Sequence, residues 1–370
     1  MTIENIILIS FDGVRKTRFE ELLNNGYLPN LGNMLSSGSY KSDIVIYPFL
    51  VNRSGIITPV NPADILPSDT VYYEQAVTDA GHSQMLTGKY GPNTGICNKV
   101  YNQSYDFLCS NNFNTIYSGI TLMETLKANT SMAIGVCCSR RADNRDISKN
   151  PGYGIFHGFG TDNIYSLTAD LDRIGGHGFF STTFANCISS LDYFFDPKKI
   201  GEYTENDAYW NFYTPTGTYS ASIELKSTIT AQKSNEFINN SISSGKNFFL
   251  FVHFCEPDLF GHTYGEGSLE YKEAIVSCDT GVGIIINNLR TMNNYNNTLI
   301  VITTDHGAEL NSSPATLTTI AGKKYFTKAG NLHGQLDTDN HLIWLINNQT
   351  SISTIDQTKI VPLISSALNL

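Results

Sequence analysis

NFFLFVHFCEPDLFGHTYG, residues 247–265, decides the fold. Its first eight residues read as a strand buried on both faces, as strands are in a parallel sheet covered by helices. Asp258 and His262 follow, four residues apart. Taken alone, that pair reads equally as two metal ligands or as a helix-start aspartate beside a buried imidazole.

The same kind of apolar run recurs along the chain. NIILIS (5–10), MAIGVC (132–137), TLIVITT (298–304) and HLIWLI (341–346) read as further buried strands. Between them, residues 17–37, 121–128, 222–243 and 268–293 carry apolar positions three and four apart, the spacing of amphipathic helices. This alternation predicts an α/β fold, a mainly parallel central sheet with helices on both faces. In such sheets reactive groups collect at the carboxyl ends of the strands. Asp12, Asp258 and the Asp305–His306 pair directly follow three of the predicted strands, so carboxylates are expected at one edge of the sheet. Two segments interrupt the pattern. Residues 40–76 hold prolines and short β-like pieces, and residues 140–220 are rich in Gly, Tyr, Phe, Asn and Asp. The second is the candidate for an inserted cap or lid within a single domain spanning residues 1–370.

Composition narrows the function. With 41% apolar and 16% charged residues in 370, the chain can bury a substantial core. The formal charge of −10, with no lysine or arginine run, excludes a duplex nucleic-acid binder and weakens a polybasic membrane-surface reading. An anionic substrate would then need local cations to offset the field of the protein, and bound metals are the natural source. Seven cysteines without C-x-x-C spacing read as buried free thiols rather than a disulfide framework or zinc finger. No stretch is long enough to span a membrane, and IILISF lacks the basic flank of a signal peptide, so a cytoplasmic location is the default expectation.

The residues that can carry chemistry are Asp12, Thr78, Asp258, His262, Asp305, His306 and His333. Mixed carboxylate and imidazole sets suit zinc or manganese. Three aspartates and three histidines suffice for two ions, which can clamp the attacking and leaving oxygens of an in-line displacement.

The ordered series LISFDG, TDAGHSQMLTGKYGPNTGI, EPDLFGHTYG, ITTDHG and LHG resembles the alkaline phosphatase superfamily, and within it the type I phosphodiesterase and nucleotide pyrophosphatase branch. The motifs span residues 6 to 334, with EPD-x-x-GH-x-x-G and TTDHG the most specific. The resemblance implies a two-metal phosphohydrolase acting on a small phosphate ester or phosphonate. In it, Thr78 would be a nucleophile that forms a phosphothreonine. Asp12, Asp305, His306 and the Thr78 hydroxyl would hold one metal, and Asp258, His262 and His333 the other, zinc being the expected ion and manganese the alternative. His333, in a Gly-flanked loop, is preferred to His341; His82 is assigned a structural role, and His157, His177 and His253 none. One departure stands out. The phosphodiesterase branch often has an asparagine three residues after the nucleophile, donating to the phosphoryl group, and Gly81 stands there in this chain. Arg15, Lys89, Arg140 and Arg141 are the candidate replacements.

Other chemistries fit less well. A formylglycine sulfatase needs C-x-P-x-R, and the near match at Cys255 has Leu259 in place of the arginine. Phosphoglycerate mutases of the same superfamily use serine, and a zinc peptidase would show H-E-x-x-H. A phosphomonoesterase or a phosphonoacetate-type hydrolase remains a competing reading, as does a non-catalytic binding protein stapled by metals.

Overall fold

Asn5–Phe11, the first strand (β1), consists almost wholly of large apolar residues, and every position in it is buried. Its side chains alternate between two cores. Ile6 and Leu8 join one apolar cluster, while Ile7, Ile9 and Phe11 join another on the opposite face. The computed structural model describes residues 2–46, 49–54, 56–59, 66, 70–73, 78–89, 99–101, 107–110, 121–138, 192–195, 227–309, 317–320, 323–326, 342–349 and 356–370.

In chain order the further strands are β2 (Ser39–Val45), β3 (Phe49–Arg53), β4 (Ile56–Pro59), β5 (Thr70–Tyr73), β6 (Lys99–Tyr101) and β7 (Phe107–Ser110). They continue with β8 (Ala133–Cys138), β9 (Tyr193–Phe195), β10 (Phe248–Phe254), β11 (Thr298–Thr304), β12 (Leu317–Ile320), β13 (Lys323–Phe326) and β14 (Leu342–Asn347). The helices are α1 (Lys16–Asn24), α2 (Pro29–Leu35), α3 (Thr78–Thr87), α4 (Leu122–Asn129), α5 (Ser227–Ser243), α6 (Glu256–Tyr264), α7 (Leu269–Thr291) and α8 (Ile360–Ala367).

The main sheet has the order β2-β14-β11-β1-β10-β8-β9. From β11 to β9 all neighbours are parallel, while β14 and β2 close one edge in antiparallel pairing. The expected α/β architecture with a mainly parallel sheet is therefore present, and the strands fall within a residue of the expected runs. Helices cover both faces. Met85, Leu86, Leu122, Leu126, Ile360 and Ile364 of α3, α4 and α8 pack on one face, and Phe19, Leu31, Phe237, Ile275 and Val282 of α1, α2, α5 and α7 on the other. A second sheet, β4-β3-β5-β6-β7, is antiparallel throughout and takes up most of the β-like pieces expected in 40–76.

Local chemistry explains where elements stop. The segment 17–37, read as one helical stretch, is two helices. The N–H groups of Gly26 and Tyr27 return to the carbonyls of Leu23 and Leu22 and close α1, and Pro29 then opens α2. α4 starts with a capping box, in which Thr121 Oγ1 accepts from the Glu124 N–H and Glu124 Oε2 accepts from the Thr121 N–H. Of the expected insertion at 140–220, the structure describes 192–195, where β9 adds an edge strand beside β8; the remainder lies outside the described residues. Cys137, Cys255 and Cys278 are buried free thiols, as expected.

Candidate functional site

β11, β1 and β10 are adjacent, and their last residues are in register: Phe11 pairs with both Thr304 and Phe254. The chain therefore leaves all three strands at one level, delivering Asp12, the start of α6 and Asp305–His306 to the same place. The Asp12 N–H still donates to the Phe254 carbonyl (2.8 Å), which carries the ladder one residue past β1. Neither Asp12 nor Asp258 is an N-cap. Arg15 occupies that position for α1 and Cys255 for α6, where Asp258 lies in the first turn. Gly13 makes the convergence possible. Its φ is +66°, and an added Cβ would lie 2.9 Å from Asp258 Cβ. Its N–H donates to Asp305 Oδ1 (3.0 Å). Tyr271 fixes the same loop, donating through its hydroxyl to the Gly13 carbonyl (2.7 Å) and accepting from the Arg15 N–H (3.0 Å).

Three donor atoms face one another at this point. His306 Nε2 lies 3.3 Å from Asp12 Oδ1 and 3.4 Å from Asp305 Oδ2, and Asp258 Oδ1 is 4.0 Å from the same nitrogen. Asp12, Asp305 and His306 are fully buried. His306 Nδ1 is turned to the Gly307 carbonyl (2.8 Å), which leaves Nε2 for the cluster. Asp305 Oδ2 has no hydrogen bond among the described residues, although His82 Nδ1 lies 3.2 Å away. The electrostatics are those of a site that attracts positive charge. Burial works to raise the Asp12 carboxyl, but hydrogen bonds and charge from His253 and His306 outweigh it and hold that group well below the usual carboxylate range. Burial and the neighbouring Asp12 charge push Asp305 well upward. Burial alone would lower His306, yet the Asp305 and Asp12 carboxylates lift it to about 10.

These residues fit a divalent cation. Donors around a tetrahedral zinc with bonds of ~2.0 Å sit about 3.3 Å apart, the spacing that His306 Nε2 already shows to Asp12 Oδ1 and to Asp305 Oδ2. The atoms of this trio lie within 4.8 Å of one another, and each residue offers one ligand atom.

Residues 73–360 match the family described as type I phosphodiesterase / nucleotide pyrophosphatase. The chain belongs to this family. Membership places it among the phosphoric ester hydrolases, and Asp12, which precedes the matched span, is joined to the rest by the sheet. Among solved structures, Ps i-CgsB shares 15% identity at a TM-score of 0.54, covering 100% of this chain and 72% of that one. A glycosaminoglycan-metabolism protein of Bacteroides thetaiotaomicron shares 10% at 0.53, with coverage of 100% and 73%. Murine ectonucleotide pyrophosphatase / phosphodiesterase 5 shares 13% at 0.49, with coverage of 99% and 95%. At these identities the first two likenesses bear on the fold alone. No curated protein matches the chain.

The positions that the type I phosphodiesterase resemblance singles out divide into three groups. Asp12, Asp258, Asp305 and His306 come together as described. Thr78 is the first residue of α3, and His262 lies one turn after Asp258 on α6; the side chains of both lie outside the described residues. His333, His341, Arg140 and Arg141 also lie outside them. Of the remaining donor candidates, Arg15 is buried with Nη1 3.7 Å from Glu266 Oε1, and Lys89 is exposed. Gly81 has a steric reason. A Cβ there would lie 2.1 Å from the Asp305 carbonyl oxygen, so α3 approaches the Asp305 backbone as only glycine permits.

Other members of the site gave no motif signal. His253, assigned no role from sequence, places Nε2 2.9 Å from Asp12 Oδ2. Gln357 donates to the carbonyls of Thr304 (3.3 Å) and Asp305 (3.2 Å) and so supports the turn that carries His306. Thr304 Oγ1 donates to the His306 carbonyl (2.6 Å) and accepts from the Val14 N–H (3.0 Å), tying the ends of β11 and β1 together. The one available hint was His253 itself, a titratable residue inside an otherwise apolar strand.

Proposed function

We propose that the chain is a two-metal phosphohydrolase of the phosphodiesterase and nucleotide pyrophosphatase type, built as one alkaline phosphatase-like catalytic domain with a cap formed from residues of the 140–220 segment. The observation that carries this reading is the convergence of Asp12, Asp305 and His306, with Asp258 alongside, at three adjacent strand ends of a chain in this family. Asp12, Asp305, His306 and Thr78 would hold one ion, and Asp258, His262 and His333 the other, with zinc the expected metal and manganese the alternative. When bound, the ions supply Lewis acidity and offset the negative charge of the substrate and of the protein.

The protein's own part is positioning. Thr78 opens α3, where N-terminal backbone N–H groups are available to phosphoryl oxygens. Its hydroxyl oxygen would attack phosphorus in line. The Thr78 O–P bond forms as the bond to the leaving oxygen breaks, and the hydroxyl proton passes by way of water to that oxygen, which departs as the alcohol. The product is a phosphothreonine, still carrying the second ester group when the substrate is a diester. Water then attacks phosphorus and releases Thr78. Gly81 favours a second reading, in which a phosphomonoester or a phosphonate is preferred, because the diesterase branch's asparagine amide has no counterpart there.

Thr78→Ala tests the assignment. The variant should retain its metals and lose turnover of both p-nitrophenyl phosphate and bis-p-nitrophenyl phosphate. Unchanged turnover would remove Thr78 as nucleophile. The rate ratio of the two esters in the wild-type protein separates the diesterase from the monoesterase reading.

A further inference from the structure

Ser10 and His253 are paired positions at the ends of β1 and β10. By alternation both lie on the face that carries Ile6, Leu8, Phe249 and Phe251. At this level the apolar cluster gives way to three buried polar side chains, because His82 reaches in from α3. His253 Nε2 is 2.9 Å from Asp12 Oδ2. His82 Nε2 is 2.9 Å from Ser10 Oγ, and its Nδ1 is 3.2 Å from Asp305 Oδ2. The two imidazoles meet edge to face, with centroids 4.9 Å apart and planes at 87°.

The two oxygens of Asp12 thus face different partners. Oδ1 faces His306 and the candidate metal position, and Oδ2 receives His253 from behind. A carboxylate that binds a metal through one oxygen can still rotate about its χ angles. A donor fixed on a buried strand, hydrogen-bonded to the other oxygen, removes that freedom. His82 does the corresponding work on the other side. The Ser10 hydroxyl can donate to Nε2, which leaves the His82 proton on Nδ1, facing Asp305. His82 also sits one turn after Thr78, so the same contacts hold the nucleophile-bearing helix against β1.

We infer that His253 and His82 are positioning residues, His253 orienting Asp12 and His82 tying α3 to β1 beside Asp305. The inference rests on the reading of Asp12, Asp305 and His306 as metal ligands.

Zinc affinity is the readout, measured by competition calorimetry on chelator-stripped protein, with the thermal midpoint of the stripped protein measured in parallel. His253→Leu should weaken zinc binding about 10–100-fold without a matching loss of thermal midpoint. His253→Gln, whose amide can still donate to Asp12, should recover part of that loss. His82→Leu should weaken zinc binding and also lower kcat at saturating zinc. A folded His253→Leu protein that binds zinc within about threefold of wild type overturns the inference, since a purely packing role predicts that result. If His253→Leu does not fold, His253→Phe, which keeps a ring but has no donor for Asp12, decides: weaker zinc binding at unchanged thermal midpoint supports the inference, and unchanged binding overturns it. Wild-type protein that binds no zinc removes the metal-site reading and this inference together. Wild-type affinity in the variants removes this inference alone.

Discussion

At the scale of single residues, the site is a balance between burial and charge. Burial opposes a charged His306, but Asp305 and Asp12 raise it from 6.5 to about 10, so the stripped protein holds a proton there throughout the neutral range. A dication must displace that proton. Zinc binding should therefore release a proton, and apparent affinity should rise with pH, about tenfold per unit for one displaced proton, and level off above the pKa of about 10. Calorimetry in buffers of different ionisation heat measures both, and a pH-independent affinity would contradict the assignment. The folding linkage follows from the same shift. A folded pKa above the unfolded value stabilises the stripped protein fully below pH 6.5, and this contribution is lost as the pH rises through about 10. Gly81 makes a steric prediction. A methyl group 2.1 Å from the Asp305 carbonyl oxygen must displace backbone. Gly81→Ala should cost about 1–3 kcal/mol of stability and weaken zinc binding, as read from denaturant midpoints and calorimetry.

At the scale of elements, strands were more legible than their neighbours. β1, β8, β10, β11 and β14 announce themselves because strands buried on both faces are continuously apolar. Asp12 and Asp305 were readable for the same reason, as the polar residues that end such runs. Strand order was not readable. Nothing local to β11, β1 and β10 says that they are adjacent, and the role of His253 depends on that adjacency through Ser10 and Asp12. The division of 17–37 into α1 and α2 is not legible in the sequence either, because helical periodicity persists across the short turn that breaks it. A side chain from another element secures the start of α2. Asp279 of α7 accepts from the N–H groups of Leu31 (2.8 Å) and Asn30 (3.2 Å) and from Asn30 Nδ2 (2.9 Å). Asp279→Ala strips buried donors of their acceptor and should lower stability by about 1–3 kcal/mol. Turnover per folded molecule should stay near wild type, since Asp279 belongs to the α2–α7 packing and not to the strand-end cluster.

At the scale of the whole molecule, a net charge of −10 and the buried Asp12 and Asp305 carboxylates favour cations at the strand-end edge. The parallel sheet explains why that edge exists. Three strands ending in register turn residues far apart in sequence, 12, 258 and 305, into one cluster. Among the described residues no helix is long and apolar enough to cross a membrane. The most direct test of the whole account is zinc titration of chelator-stripped protein, with p-nitrophenolate release followed from both phosphate esters. Stripped protein should be inactive, and activity should return and saturate near two zinc equivalents per chain. Full turnover in the stripped protein, or none of either ester with two zincs bound, would contradict the account.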